Sequence, residues 1–308
     1  MKLVDADDGA QIWGDRFDDV LEDVFALQDK VALSVAGVIE PAITGAEARR
    51  ASRRPTENMS SYDLYLMGYA AFQAFRKDEN LRALGLFERA IALDPNYASA
   101  LVMAAECHSV TMLFGWTGEP EEHRRIGLAL AERALALAGS DDQVLALIGN
   151  ALSIFETNRD RSAGLIDRAI ELNPGSAYNW LASAALHLNN GDDEDAVIEH
   201  AGRAMRLDPL SAINRDARMM VGVARFRQGR FAEALSLLNE ASSPQPIAHA
   251  HLAAVLGQLG HAAAAREALT RYRASTDLPI DVAAGLWLRP EHRKPFLDGI
   301  ALAAGAAP

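Results

Sequence analysis

R-A-I-A-L-D-P at Arg89–Pro95, R-A-L-A-L-A-G at Arg133–Gly139, R-A-I-E-L-N-P at Arg168–Pro174 and R-A-M-R-L-D-P at Arg203–Pro209 are one phrase written four times. Their first residues lie 44, 35 and 35 positions apart. A unit of about thirty-five residues therefore recurs, once with an insertion, and a period of that size marks stacked supersecondary units. Each phrase reads as a helix end. Ala and Leu fall on one face, and the residue before a proline is pushed out of the α region, so the helix stops there.

Composition agrees. Half of the 308 residues are hydrophobic but only 6% are aromatic, which favours helices packed closely through small side chains over a sheet. The formal charge of -12 repels a phosphate backbone, so nucleic acid is not the expected partner and a protein is. Cys107 is the single cysteine, and its setting in A-A-E-C-H is that of a buried small residue. Met1 is followed by Asp5, Asp7 and Asp8 with no apolar run, and nowhere do eighteen apolar residues follow one another. No secretory signal or membrane span is read, and the chain is expected to stay in the cytoplasm.

Along the chain, residues 2–14 alternate around Asp8-Gly9, a hairpin signal. Leu21, Val24, Phe25, Gln28, Val31, Val35, Val38 and Ile39 then recur at helical spacing up to Pro41. The run from Leu3 to Val31, with Trp13, Phe17, Phe25 and Gln28, resembles the C-terminal end of the TolB-like αβ domain of bacterial multidomain regulators. That resemblance implies an output domain upstream, a class III cyclase or a winged-helix DNA binder, and a helical repeat array downstream. A basic connector with Arg49, Arg50, Arg53 and Arg54 follows, and Ser60, Ser61 and Asp63 offer caps for the next helix.

Gly222, Gly229, Phe231, Ala234, Leu238, Ala241 and Pro246 stand 7, 2, 3, 4, 3 and 5 residues apart. This resembles the tetratricopeptide repeat (TPR) throughout. The same grammar runs through Ala83, Phe87, Ala90 and Pro95, and through Ser162, Ile166, Ala169 and Pro174. Small residues let two helices of a pair cross closely, large ones are assigned to the contact with the neighbouring pair, and Gly229 permits the turn. In the last unit Tyr272 replaces a small residue. Phe114–His123 lengthens the turn of the second unit, and its Trp116 either meets a partner or folds back onto the adjacent helix.

The expected fold is an all-α, TPR-like right-handed superhelical solenoid with a small N-terminal β-hairpin and helix. The expected divisions are a TolB-like remnant at 1–43, the connector at 44–58, about six repeats at 59–279 and a capping segment at 280–308, the last with a helix around Phe296, Leu297 and Ile300.

No nucleophile elbow, zinc-protease helix, phosphate loop or dinucleotide turn occurs in the sequence. Glu106, Cys107 and His108 are consecutive on a helix and diverge, and His249 and His251 point to different sides. No catalytic residue, metal site or cofactor is expected. What remains is a groove. By resemblance, the first helix of each unit lines the concave surface, which places Tyr62, Tyr65, Tyr69, Phe72, Asn150, Tyr178, Asn189, Met219 and Arg227 along it. The aromatic stripe of Tyr62, Tyr65, Tyr69 and Phe72 is either a platform for a peptide or partner helix, or a face packed against residues 19–40. The carboxylate clamp of chaperone-tail binders is matched only weakly, since Val102 and Ala146 stand where lysines are needed. The expected role is a non-catalytic protein-interaction scaffold in bacterial signalling. The alternatives are the regulatory tail of an adenylate cyclase whose catalytic domain lies upstream, and a homo-oligomer formed through exposed repeat faces.

Overall fold

The computed structural model describes residues 2–4, 11–14, 60–156, 159–191, 193–209 and 211–304. Helices α1 (Ser61–Phe72) and α2 (Lys77–Leu93) form the first antiparallel pair. They are followed by α3 (Ala98–Leu113) with α4 (Pro120–Ala138), α5 (Asp142–Phe155) with α6 (Arg159–Leu172), and α7 (Ala177–Asn190) with α8 (Glu194–Leu207). Then come α9 (Ala212–Arg227) with α10 (Phe231–Ala241), and α11 (Pro246–Gln258) with α12 (Ala262–Ser275). Two further helices, α13 (Ile280–Trp287) and α14 (Pro290–Ala304), close the described chain.

The repeated phrase ends α2, α4, α6 and α8. Asp94 and Asp208 leave the helical region ahead of Pro95 and Pro209, as the ring of a following proline demands, and Gly139 turns α4 off at φ 55°. At the other end, α1 starts in a capping box. The Asp63 N–H donates to Ser60 Oγ at 3.2 Å and the Ser60 N–H to Asp63 Oδ2 at 3.0 Å, satisfying amides that a helix start leaves open.

Within the pairs, small residues in the second helices are fully enclosed, among them Ala83, Ala90, Ser162, Ala169 and Ala234. The large residue between them is seated differently from the sequence reading. A Cβ placed on Gly68, Gly149 or Gly222 would stand 2.7 Å from Phe87, 2.7 Å from Ile166 and 2.9 Å from Leu238 respectively. Each large side chain thus presses against a glycine of its own partner helix, where the absence of a Cβ leaves it room.

First helices of successive pairs touch in an unbroken row, α1 to α3, α5, α7, α9 and α11. This row is the inner wall of a superhelical stack, with the second helices outside. At its end α14 lies on α11 and α12, and Phe296 is held edge-on by Phe226 and packed against His251. That covers the apolar face an open stack leaves bare.

Near the N-terminus, β1 (Lys2–Val4) pairs antiparallel with β2 (Gln11–Gly14), Lys2 opposite Gly14 and Leu3 opposite Trp13. The Asp8-Gly9 turn, the helical pattern of residues 21–39 and the arginine connector lie outside the described residues. Among the described residues no helix is long and apolar enough to cross a membrane.

Candidate functional site

Helix spacing brings three tyrosines of α1 into one ladder. Tyr62 stacks on Tyr65 with ring centroids 6.5 Å apart, and Tyr65 on Tyr69 at 6.3 Å. Tyr62 is 48% exposed. Tyr65 is half core, since it also meets Phe87 at 6.0 Å and Tyr97 at 5.3 Å. Phe72 packs against both large core clusters. Asn150 donates through Nδ2 to Glu106 Oε1 at 3.1 Å. Asn189 is half-buried. Met219, placed in the groove by spacing, is 2% exposed and belongs to the core, so it offers a partner no surface. Arg227 is engaged within the chain, donating to the carbonyls of Leu188 at 2.9 Å and Trp287 at 3.0 Å.

Sequence reasoning passed over two carboxyls on the same inner wall. Glu106 is 3% exposed, with Ser109 Oγ donating to Oε2 at 3.1 Å beside the Asn150 contact. Burial pushes its carboxyl up to about 7, and the two hydrogen bonds only partly offset this. Asp216, which accepts from Arg215 at 3.1 Å and Gln245 at 3.2 Å, is also raised by burial. The phenol of Tyr178 on α7 is held well above the usual range, first by burial and then by the charges of Glu106, Tyr69, Tyr65 and Asp216. Tyr178 is half-buried. The signal for Glu106 was available in V-M-A-A-E-C-H, where one acid interrupts an apolar helix.

The three consecutive residues Glu106, Cys107 and His108 do diverge. Cys107 is enclosed, and His108 Nδ1 meets His123 Nδ1 at 2.8 Å, one ring donating and the other accepting. Burial, and then His123, push His108 down to about 4. Among the described residues no group of three His, Cys, Asp or Glu could hold a metal ion.

At the other end of the array the chain crosses back to its early repeats. Trp116, which the sequence leaves between a partner and its neighbouring helix, folds back on the end of α3, its N–H donating to the Thr111 carbonyl at 2.9 Å and its ring beside Phe114. It is 6% exposed and also reaches α12, donating through Nε1 to the Ser275 carbonyl at 2.9 Å. Thr276 Oγ1 donates to the Phe114 carbonyl, Trp287 Nε1 to the Leu113 carbonyl at 3.0 Å, and Arg289 Nε to the Asn190 carbonyl at 2.8 Å. Tyr272, large where the repeat has a small residue, donates to the Leu278 carbonyl at 2.7 Å and fixes the start of this crossing.

Comparison with solved structures gives similar folds at low identity. The human IFIT1 dimer with m7Gppp-AAAA matches 89% of this chain and 72% of its own with a TM-score of 0.58 at 14% identity. The APC/C hetero-tetramer Cut9–Hcn1 matches 86% of this chain and 48% of its own, with a TM-score of 0.55 at 15% identity. The fold is a TPR-like superhelix. No family model matches the sequence. Among curated proteins, "Putative adenylate cyclase 3" of Rhizobium meliloti (strain 1021) is 27% identical over 152 residues, 49% of this chain. The matched stretch spans 26% of that relative's length.

The Glu106 carboxyl gives the superhelix a pH signature. Folded, it titrates near 7 against an ordinary 4.5, so between those values the native state holds a proton that the unfolded state lacks. Stability therefore falls as pH rises through this window and levels off above it. Glu106→Gln is expected to flatten that slope and to raise stability at about pH 8 by on the order of 2 kcal/mol. Urea unfolding at a series of pH values measures it, and an unchanged slope would mean that Glu106 is already ionised in the fold.

Proposed function

We propose that this chain is a non-catalytic protein-interaction module whose inner wall takes an extended segment of a partner protein. A lysine or arginine of that segment sits against Tyr62, Tyr65, Tyr69 and Tyr178, none of which is fully enclosed. The observation that carries the reading is the stacked ladder of Tyr62, Tyr65 and Tyr69 on α1, with ring centroids 6.5 and 6.3 Å apart. Ring faces favour a cation. The exposed end of the tyrosine ladder, Tyr62, is the point of entry, and the half-buried amide of Asn189 meets the segment's backbone. IFIT1 was solved with a nucleotide ligand, but a net charge of -12 repels phosphate, so protein is the proposed partner and the cytoplasm the proposed compartment.

Selection from a random peptide display library tests this. Lysine- or arginine-bearing sequences are expected, with affinity falling at least about tenfold for the Tyr62→Ala, Tyr69→Ala double variant. Selection of cation-free peptides, or tighter binding of a short oligoribonucleotide, would overturn it.

A second reading is supported by the Rhizobium meliloti relative, most of whose length lies outside the match. Here the module is the regulatory tail of an adenylate cyclase, and residues 1–43 are the end of a TolB-like domain joined through a connector at 44–58 to repeats at 59–279 and a cap at 280–308. Added in trans to a cyclase catalytic domain encoded beside it, the module is expected to change the rate of cyclic AMP formation. No change at saturating module removes that reading.

A further inference from the structure

In a solenoid each repeat ordinarily touches only its neighbours. Residues 275–289 break that rule, bonding to residues that lie 159, 162 and 174 positions earlier in the chain through Trp116–Ser275, Thr276–Phe114 and Trp287–Leu113. Lys77 Nζ also meets Asp277 Oδ2 at 3.3 Å, 200 positions away. We propose that residues 275–289 are a releasable latch: they close the superhelix into a ring and open as one unit while the six helix pairs stay folded.

The chemistry of the closure separates it from the packing of the pairs. Its directed bonds run from side-chain donors to carbonyls at helix ends: Leu113 and Phe114 after α3, Asn190 of α7, Ser275 of α12 and Trp287 of α13. A helix end leaves its last carbonyls open in any case, and water satisfies them once the contact parts. Opening therefore strands no buried backbone group, and of the common core it uncovers the side chains around Phe114, Trp116, Trp287 and Leu288 and not the face between two helices of a pair. Helix α13 has eight residues, too few to persist without its contacts. Both ends of the segment stay anchored, α12 on α11 and α14 on α11 and α12. The indoles of Trp116 and Trp287 and the Phe114 ring keep the closed form as the resting state. Opening also uncovers Arg227, whose donor now holds the Trp287 carbonyl. Any consequence of that for a bound segment rests on the function proposed above, while the latch itself does not.

Hydrogen exchange of the full chain, followed by mass spectrometry, tests the latch without any ligand. Amides of residues 113–116 and 276–288 are expected to exchange together, at least about tenfold faster than the interiors of α5 and α9. Lys77→Cys and Asp277→Cys, joined by a bismaleimide, are expected to slow both stretches. The two side chains are 57% and 85% exposed, so the substitutions do not threaten folding, and the enclosed Cys107 does not compete. Trp287→Phe, which keeps a ring but loses the donor to Leu113, is expected to speed both. Exchange of either stretch at the rate of global unfolding, or exchange unaltered by the bridge, would make the segment a fixed part of the core and end the proposal.

Discussion

Gly257→Val is expected to lower the unfolding free energy by about 4 kcal/mol, because the substitution meets backbone and not a side chain that can turn aside. A Cβ on Gly257 would stand 1.9 Å from the Gly299 carbonyl oxygen, and one on Gly299 would stand 2.4 Å from that of Ala254. The two helices touch main chain to main chain, so α14 has to lift. Lifting it uncovers Phe296, Ile300 and Ala303, all buried against the last pair. Gly164→Ala is the matched control. Gly164 lies inside α6 with nothing near its missing Cβ, so the same class of change is expected to stabilise by about 0.5–1 kcal/mol through helix propensity. Urea midpoints of the two variants move in opposite directions if the α11–α14 contact is as close as described. A loss under about 1 kcal/mol for Gly257→Val would show that α14 is free to shift.

What the sequence made legible is what local chemistry decides. A proline stops a helix wherever it stands, so Pro95, Pro174 and Pro209 announce their helix ends without knowledge of the fold. The small residues of the second helices were legible for the same reason, since a period of about thirty-five residues is a property of the chain alone. The direction in which Phe87 presses was not, because the period of the helix gives its buried face but not the glycine of the partner helix, Gly68, that meets it. Met219 failed as a groove residue on similar grounds. Inner-wall spacing predicts the row but not how much of it the neighbouring first helices cover. The tyrosine ladder was half legible: its periodicity placed Tyr62, Tyr65 and Tyr69 on one stripe, yet the contact of Tyr65 with Tyr97 depends on where α3 begins. Glu106 and Asp216 escaped as inner-wall groups because a single acid has no period, whether in the apolar run around Glu106 or in the polar stretch N-R-D-A-R around Asp216.

Ring closure was the least legible feature, and Trp116→Ala is the experiment that measures it. An exposed loop tryptophan reserved for a partner would cost about 0.5 kcal/mol or less on truncation. The observed Trp116 instead fills a site beside Phe114, with ring centroids 5.3 Å apart, and donates to a carbonyl of α12. A loss of about 3–4 kcal/mol is therefore expected by urea unfolding. A further consequence follows if the closure behaves as a unit. Truncation weakens only the closed ring, so the loss cannot exceed the free energy of closing it. Beyond that limit the open superhelix is simply the native state. Trp287, which bonds Leu113 and packs on Phe114 at 6.5 Å, draws on the same closure. Trp116→Ala and Trp287→Ala combined are thus expected to cost about as much as the worse of the two alone, well short of their sum. Additive losses would instead mean that the two indoles support separate parts of an undivided core.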